Sequence, residues 1–229
     1  LVVYRESINQ NVVIPLTREQ ISVPTVEGLA LPGNSDIAYV NISQFSSNTD
    51  QELREVLQNM NIKNYKGMIL DLRYNHGGEL EAAVGVASCF VKSGPVVFIV
   101  DKYGNTITKT AEGGYLGIPL VVLVNEESAS AAEIVAGAIK DNGTGTLVGA
   151  KTFGKGIVQT IFRLDQGTSV KLTTAKYLTP NKIDIHKVGI EPYVKVELAE
   201  GEEVTLSPVT AQFDSQLQEA VKVLRQKIE

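Results

Sequence analysis

Pro119-Leu120-Val121-Val122-Leu123-Val124-Asn125-Glu126-Glu127-Ser128-Ala129-Ser130-Ala131-Ala132-Glu133-Ile134 is the stretch that decides the fold class. Its apolar, β-branched run Val121-Val122-Leu123-Val124 reads as a strand buried on both faces. Asn125-Glu126-Glu127 breaks that run. From Ala129 onward the chain is alanine-rich, with Ile134, Val135, Ala138 and Ile139 at helical spacing, which predicts a helix beginning near residues 128–130. Ser130 therefore falls on a strand-to-helix turn, where the first helical N–H groups lack partners and the helix dipole favours negative charge. An oxyanion formed on Ser130 has the Ala131 N–H at hand. The same residues also fit a purely structural device, since Ser130 and Glu133 make the Ser-x-x-Glu of a capping box.

The same order recurs upstream. Residues 66–73 read as a buried strand, Tyr74-Asn75-His76-Gly77-Gly78 as a turn and residues 79–91 as a helix. Paired glycines at a strand exit let backbone approach a ligand closely, so Gly78, or its neighbour Gly77, is a candidate second oxyanion donor. An ordinary strand-to-helix turn is the structural alternative. Strands are also expected at 37–42 and 95–100, the latter leading into a hairpin through Tyr103-Gly104-Asn105. A helix is expected at 49–60 with Thr49 at its cap. This alternation through residue 140 implies stacked βαβ units in an α/β domain.

Downstream lies Lys151-Thr152-Phe153-Gly154-Lys155-Gly156-Ile157-Val158-Gln159. Gly154 and Gly156 leave the Lys155 amine without flanking side chains. The strand pattern from Ile157 puts Lys155 and Gln159 on one face, where Gln159 can orient the amine. A lysine working as a general base must lose its proton near neutral pH, which requires burial away from carboxylates. No acid occurs between Lys151 and Arg163. A surface lysine in a glycine turn is the structural alternative. The stretch from Gly149 nearly fits the phosphate loop G-x-x-x-x-G-K-[ST], but glycine stands in the last place and a strand pattern follows, so nucleotide binding is disfavoured.

These motifs, in this order, resemble the carboxyl-terminal processing peptidases, also called tail-specific proteases. The resemblance rests on Asp71-Leu72-Arg73-x-Asn75-x-Gly77-Gly78, on Ser128-Ala129-Ser130-Ala131-x-Glu133-Ile134, and on the segment from Lys151 to Gln159. Leu172-Thr173-Thr174-Ala175-x-Tyr177-x-Thr179-Pro180 and Gly189-Ile190-x-Pro192 look like later signatures of that family, so the likeness runs over residues 16–198. It implies a crotonase-like or Clp-protease-like superfold and a serine endopeptidase that cleaves near the C-terminus of proteins. Ser130 would be the nucleophile, Lys155 its general base and Gln159 the residue that holds the lysine, with the Gly78 and Ala131 N–H groups as oxyanion hole. The spacing of 25 residues to the lysine selects Ser130 over Ser128. No metal or cofactor is implied. The implied partners are proteins or peptides with apolar C-termini, and the implied location is extracytoplasmic: periplasm, cell envelope or organelle lumen.

Tyr74, His76, Ala132 and Tyr193 depart from the family pattern without removing a catalytic group. His76 and His186, the only histidines, offer an alternative base. Such peptidases normally carry a PDZ module, a groove that adds the substrate terminus as a strand. Residues 1–15 read as strand segments flanking a missing module, residues 16–200 as the protease core, and residues 201–229 as a linker and C-terminal amphipathic helix. The chain is thus expected to be a fragment, and the lack of a signal peptide agrees. The helix, with Leu217, Ala220, Val221 and Leu224 at helical spacing from Gln212 onward, is expected to dock on the core or on a second subunit of a homo-oligomer.

Composition sets outer bounds. A chain of 229 residues with a net charge of −5 can bury one substantial core and offers no nucleic-acid surface. The lone Cys89 lies in an apolar helical pattern and has no disulfide partner. No apolar run is long enough for stable membrane insertion. Two readings compete with the peptidase: a non-catalytic binding or assembly scaffold on the same fold, and a crotonase-type acyl-CoA enzyme using Glu79 and Glu81.

Overall fold

The computed structural model describes residues 1–19, 23–198 and 214–229. In chain order the elements are β1 (Val2–Arg5), β2 (Gln10–Val13), β3 (Val26–Leu31), β4 (Asn34–Ile42), α1 (Thr49–Asn59), β5 (Gly67–Asp71), α2 (Leu80–Ser88), β6 (Pro95–Asp101), β7 (Thr106–Thr110), β8 (Leu120–Val124), α3 (Ala131–Asp141), β9 (Thr146–Gly149), β10 (Ile157–Arg163), β11 (Ser169–Leu178), β12 (Val194–Lys195) and α4 (Ser215–Ile228). The main sheet has the order β12-β9-β8-β5-β4-β3. Its central strands β4, β5, β8 and β9 run parallel, linked by crossovers through α1, α2 and α3. Every residue of β5 and β8 is buried, as their unbroken apolar runs require of parallel strands covered on both faces.

The expected α/β architecture is the one observed, with an N-terminal strand region and a C-terminal helix. β1 and β2 form an exposed antiparallel hairpin of their own. A second sheet, β10-β11-β6-β7, is antiparallel throughout. One difference concerns α1, whose cap position is Asn48; Thr49 is the first helical residue, and its Oγ1 accepts the Ser46 N–H at 2.8 Å. The linker expected at 199–208 and the helix start at Gln212 lie outside the described residues.

Two apolar clusters flank the main sheet. On one face α1, α2 and α3 pack with Leu53, Val86, Val135 and Ile139 against Val40, Leu70 and Val122. On the other face α4 seats Leu217, Ala220 and Leu224 over Tyr39, Ile69, Val121 and Leu123. Of the two docking options read from its pattern, α4 takes the core. Gly67 admits it, since a Cβ there would stand 2.9 Å from the Leu224 side chain.

Polar contacts lock α4 at both ends. Asp214 caps the helix by accepting the Leu217 N–H at 2.9 Å and also accepts from Arg73 Nη1 at 2.9 Å. Arg73 is fully buried and bonds Asp71 through Nη2 at 2.7 Å, while the Tyr39 hydroxyl donates to the same carboxylate. Further along α4, Arg225 meets both oxygens of Asp36 at 2.7 Å.

Removing one member of a buried ion network leaves its partner charged and unpaired, so Arg73→Ala should cost about 3–5 kcal/mol in urea unfolding; a loss below about 1 kcal/mol would contradict that. Hydrogen bonding from Arg225 lowers the Asp36 carboxyl from 3.8 to about 2. Because the folded-state value is the lower one, this contribution is complete above about pH 4 and fades as the pH falls toward 2. The stability difference between the native chain and Arg225→Ala should therefore shrink over that interval, and a constant difference would refute the assignment.

Candidate active site

Ser130 caps α3 with φ 56° and ψ −114°, a backbone region that only glycine enters freely. A strained serine on a sharp strand-to-helix turn is the backbone device of a nucleophile elbow, which pushes the hydroxyl out of the sheet. Ser130 and Glu133 do form the capping box, with the Ser130 N–H donating to Glu133 Oε2 at 2.9 Å. The neighbouring Ser128 is buried and fully committed: its Oγ accepts the Asn125 N–H and donates to the Leu72 carbonyl at 2.8 Å.

The loop after β5 lies beside this turn. Buried Asn75 staples it, donating from Nδ2 to the Ile42 carbonyl, accepting the Gly77 N–H on Oδ1, and receiving the Ala129 N–H on its backbone carbonyl. Phe45 pairs with the loop on either side of Gly78, donating to the Gly77 carbonyl and accepting the Glu79 N–H. The Gly77 amide is thus occupied, and among the described residues the Gly78 amide has no partner. The Ala131 amide, first in α3, is likewise unpaired. Gly78 has φ 148°, and a Cβ there would sit 1.9 Å from the Phe45 carbonyl oxygen, so no other residue fits.

Lys155 arrives on the loop between β9 and β10. A strand follows it, and the Gly154 and Lys155 amides already donate to Glu133. The loop is therefore unsuited to phosphate, as its sequence suggested. Glu133 is fully buried and takes four donors: Thr152 Oγ1 at 2.6 Å and the Gly154 N–H at 2.8 Å on Oε1, the Lys155 N–H at 2.8 Å and the Ser130 N–H on Oε2. On the carbonyl side the Tyr177 hydroxyl lies 2.6 Å from the Lys155 oxygen and 3.0 Å from the Ser130 oxygen, one proton shared between two acceptors. Burial, and then the Glu133 charge, push the Tyr177 phenol well above its ordinary range and keep it a donor. The backbones of Ser130 and Lys155 are thus tied together from both sides.

Ser130, Lys155, Gln159, Gly78 and Ala131 all line one cleft of 630 Å³. Residues 76–81, Ile157, Val158, Gln159 and Ile161 of β10, and Ile134 and Tyr177 also line it. Among the described residues no hydrogen bond joins the Ser130 hydroxyl to the Lys155 amine, or that amine to the exposed Gln159. His76 stands at the cleft with its side chain 74% exposed and Nδ1 3.5 Å from Glu127; His186 is elsewhere. Glu79 and Glu81 also border the cleft, and Glu81 pairs with Lys109 at 2.7 Å. Burial raises the Cys89 thiol, which makes it a poor nucleophile. No group of three or more metal-ligating side chains occurs among the described residues.

Residues 36–196 match the profile of peptidase family S41. The chain belongs to this family. Similar curated proteins include the carboxyl-terminal-processing protease of Synechocystis sp., 41% identical over 213 residues, covering 91% of this chain and 49% of the relative. The carboxy-terminal processing protease CtpA of Bacillus subtilis is 40% identical over 190 residues, covering 82% of this chain and 40% of the relative. Among solved structures, a photosystem II D1 C-terminal processing protease superposes with a TM-score of 0.69 at 35% identity, over 83% of this chain and 53% of that one. A putative S41 protease from Bacteroides fragilis reaches 0.73 at 18% identity, a likeness of fold. The S41 chain spans about half the length of the Synechocystis relative and of the photosystem II D1 processing protease.

In the sequence Glu133 reads only as part of a capping box, and no local pattern gives Tyr177 a role. The one available signal was the Glu133 position itself, three residues after Ser130. Glu133→Gln replaces an acceptor oxygen by an N–H₂ group facing two donors, so urea unfolding should register a loss of about 1–3 kcal/mol or more; an unchanged midpoint would remove the four-donor assignment.

Proposed function

We propose that this S41 chain is the catalytic part of a serine endopeptidase that cleaves near the C-terminus of protein substrates through a Ser130 acyl-enzyme. One observation carries the reading: a single cleft is lined by a strained Ser130, by Lys155, and by two unpaired backbone amides. Neutral Lys155 takes the proton of the Ser130 hydroxyl as Oγ attacks the scissile carbonyl, and the oxyanion rests on the Gly78 and Ala131 N–H groups. Protonated Lys155 then gives its proton to the leaving amine, and water, deprotonated by the same lysine, releases the acyl group. Gln159 orients the amine. Closing the gap between the Ser130 hydroxyl and the Lys155 amine is a side-chain rearrangement, because both backbones are already held by Glu133 and Tyr177.

The names of the relatives support polypeptides processed at their C-terminal end as the substrate class, with an apolar terminus as the finer expectation. The chloroplastic relatives in Tetradesmus obliquus and Arabidopsis thaliana favour work in a lumen or cell envelope. In domain terms, residues 16–200 are the protease core, with the strand segment of residues 1–15 before it and the helix α4 after it. A non-catalytic scaffold on the same fold is the competing reading.

An acylating, serine-directed probe distinguishes the two. The peptidase reading expects labelling at Ser130, none in Ser130→Ala, and a fall in hydrolysis of an unstructured, apolar-ended peptide on the order of 10²–10⁴-fold in Lys155→Ala. Full activity in either variant would sink the Ser-Lys pair, and absence of labelling would favour the scaffold.

A further inference from the structure

Away from the Ser130 cleft, two adjoining hollows of 480 and 580 Å³ open where the end of α1 and the turn after it face the loop between β7 and β8. They share Ile62, Lys63, Gly114 and Leu116, and they have no residue in common with the cleft. Each has the size of a small-molecule site. Leu57, Ile62, Cys89 and Leu116 give the first an apolar floor. Its walls are held in place. The Leu116 N–H donates to the Cys89 carbonyl at 2.9 Å, and Gly114, at φ 85°, makes way for Arg54, since a Cβ there would stand 2.6 Å from Nη1.

The charges lining these hollows have one sign. Arg54, Lys63 and Lys66 border them and no carboxylate does, in a chain whose net charge is −5. The acids of α1 are turned to other partners: Glu52 accepts from Thr25 Oγ1 at 2.8 Å, Glu55 accepts from Gln51 Nε2 at 2.8 Å, and Asp50 lies against Gly85. Lys66 reaches Asp36 at 3.5 Å. Arg54 and Lys63 form no ion pair among the described residues, and the Arg54 guanidinium meets only the Gly85 carbonyl, at 3.5 Å. Both side chains are exposed, so two unpaired cations stand at the rim of an apolar hollow.

We propose that this hollow binds an amphiphilic organic anion of the size of a medium-chain fatty carboxylate, its acid head between Arg54 and Lys63 and its chain over Leu57, Ile62 and Leu116. The guanidinium offers a carboxylate a fork of N–H donors and the ammonium adds a further one. Each methylene taken out of water strengthens binding about fourfold. A peptide terminus suits the floor less well, because its backbone N–H and C=O groups would need partners that these apolar side chains do not supply. The site is independent of the peptidase reading. Pro119, which lines the second hollow, precedes β8, and Ser130 follows the other end of that strand, with about 16 Å of β8 between them.

The test titrates the native chain with decanoate, kept below micelle-forming concentrations, by isothermal titration calorimetry. The proposal expects saturable binding that weakens on the order of tenfold with octanoate and at least about tenfold with decylammonium, whose head has the wrong sign. Arg54→Gln combined with Lys63→Gln, both surface changes that leave the core intact, should weaken decanoate binding at least about tenfold. Lys155→Ala, which removes the cation of the other cleft, should leave it within about twofold. Amides of residues 57–64 and 114–118 should exchange more slowly with decanoate bound. No binding of decanoate, equal binding of decylammonium, an unchanged affinity in the double variant, or unchanged exchange in both segments would each overturn the proposal. A large loss in Lys155→Ala would place the ligand in the Ser130 cleft and overturn it as well. Displacement of decanoate by a leucine-ended peptide at comparable concentration would assign the hollow to polypeptide termini instead.

Discussion

One buried carboxylate organises this molecule. Glu133 sits in the first turn of α3, yet three of its four donors come from the loop before β10, more than fifteen residues downstream. A carboxylate removed from water is costly unless every lone pair is used, and here four short bonds use them. The consequence is positional. The strand-to-helix turn bearing Ser130 and the glycine-flanked loop bearing Lys155 cannot drift apart without stranding a buried charge. Tyr177, from the second sheet, adds the same constraint on the carbonyl side, so the junction of the two sheets is also the place where the two candidate reactive residues meet.

Around that junction the structure stores strain and leaves groups unpaired in a pattern. Ser130 occupies a backbone region that only glycine enters freely, Gly78 a conformation closed to any side chain, and among the described residues the Gly78 and Ala131 amides lack partners while the Gly77 and Ser130 amides are satisfied. Asn75 and Asn125 show how this is sustained. Asn75 ties the glycine loop to β4 and to Ala129, and Asn125 Oδ1 accepts from the Tyr74 and Glu127 amides. The Arg73 network reaches the same loop from beneath and fastens it to α4. Side-chain bonds from rigid elements thus hold an irregular loop whose backbone makes few ladder contacts.

Much of the fold was legible in the chain. Val121-Val122-Leu123-Val124 and the stretch before Arg73 are apolar without alternation because both faces are covered, and each became a central parallel strand. Leu217, Ala220 and Leu224 showed the buried stripe of α4. What that stripe would cover was not legible, because a helical period states that a face is apolar and says nothing of its partner. Asn48 in place of Thr49 as the α1 cap is a one-residue difference of the kind helix ends produce.

The candidate site divides in the same way. Ser130, Lys155, Gln159 and the two glycines could be read from short motifs, since nucleophile turns, glycine-flanked lysines and glycine pairs are local arrangements encoded within a few residues. The resemblance names Gly78 as the donor; the structure adds that Asn75 Oδ1 occupies the Gly77 amide while the Gly78 amide has no partner among the described residues. The clamp of Glu133 and Tyr177, the Arg73 and Asp214 link and the cationic hollow beside α1 belong to tertiary structure alone. Each joins residues far apart in sequence, and a hydrogen bond across such a distance leaves no periodicity, spacing or compositional mark in the chain that makes it.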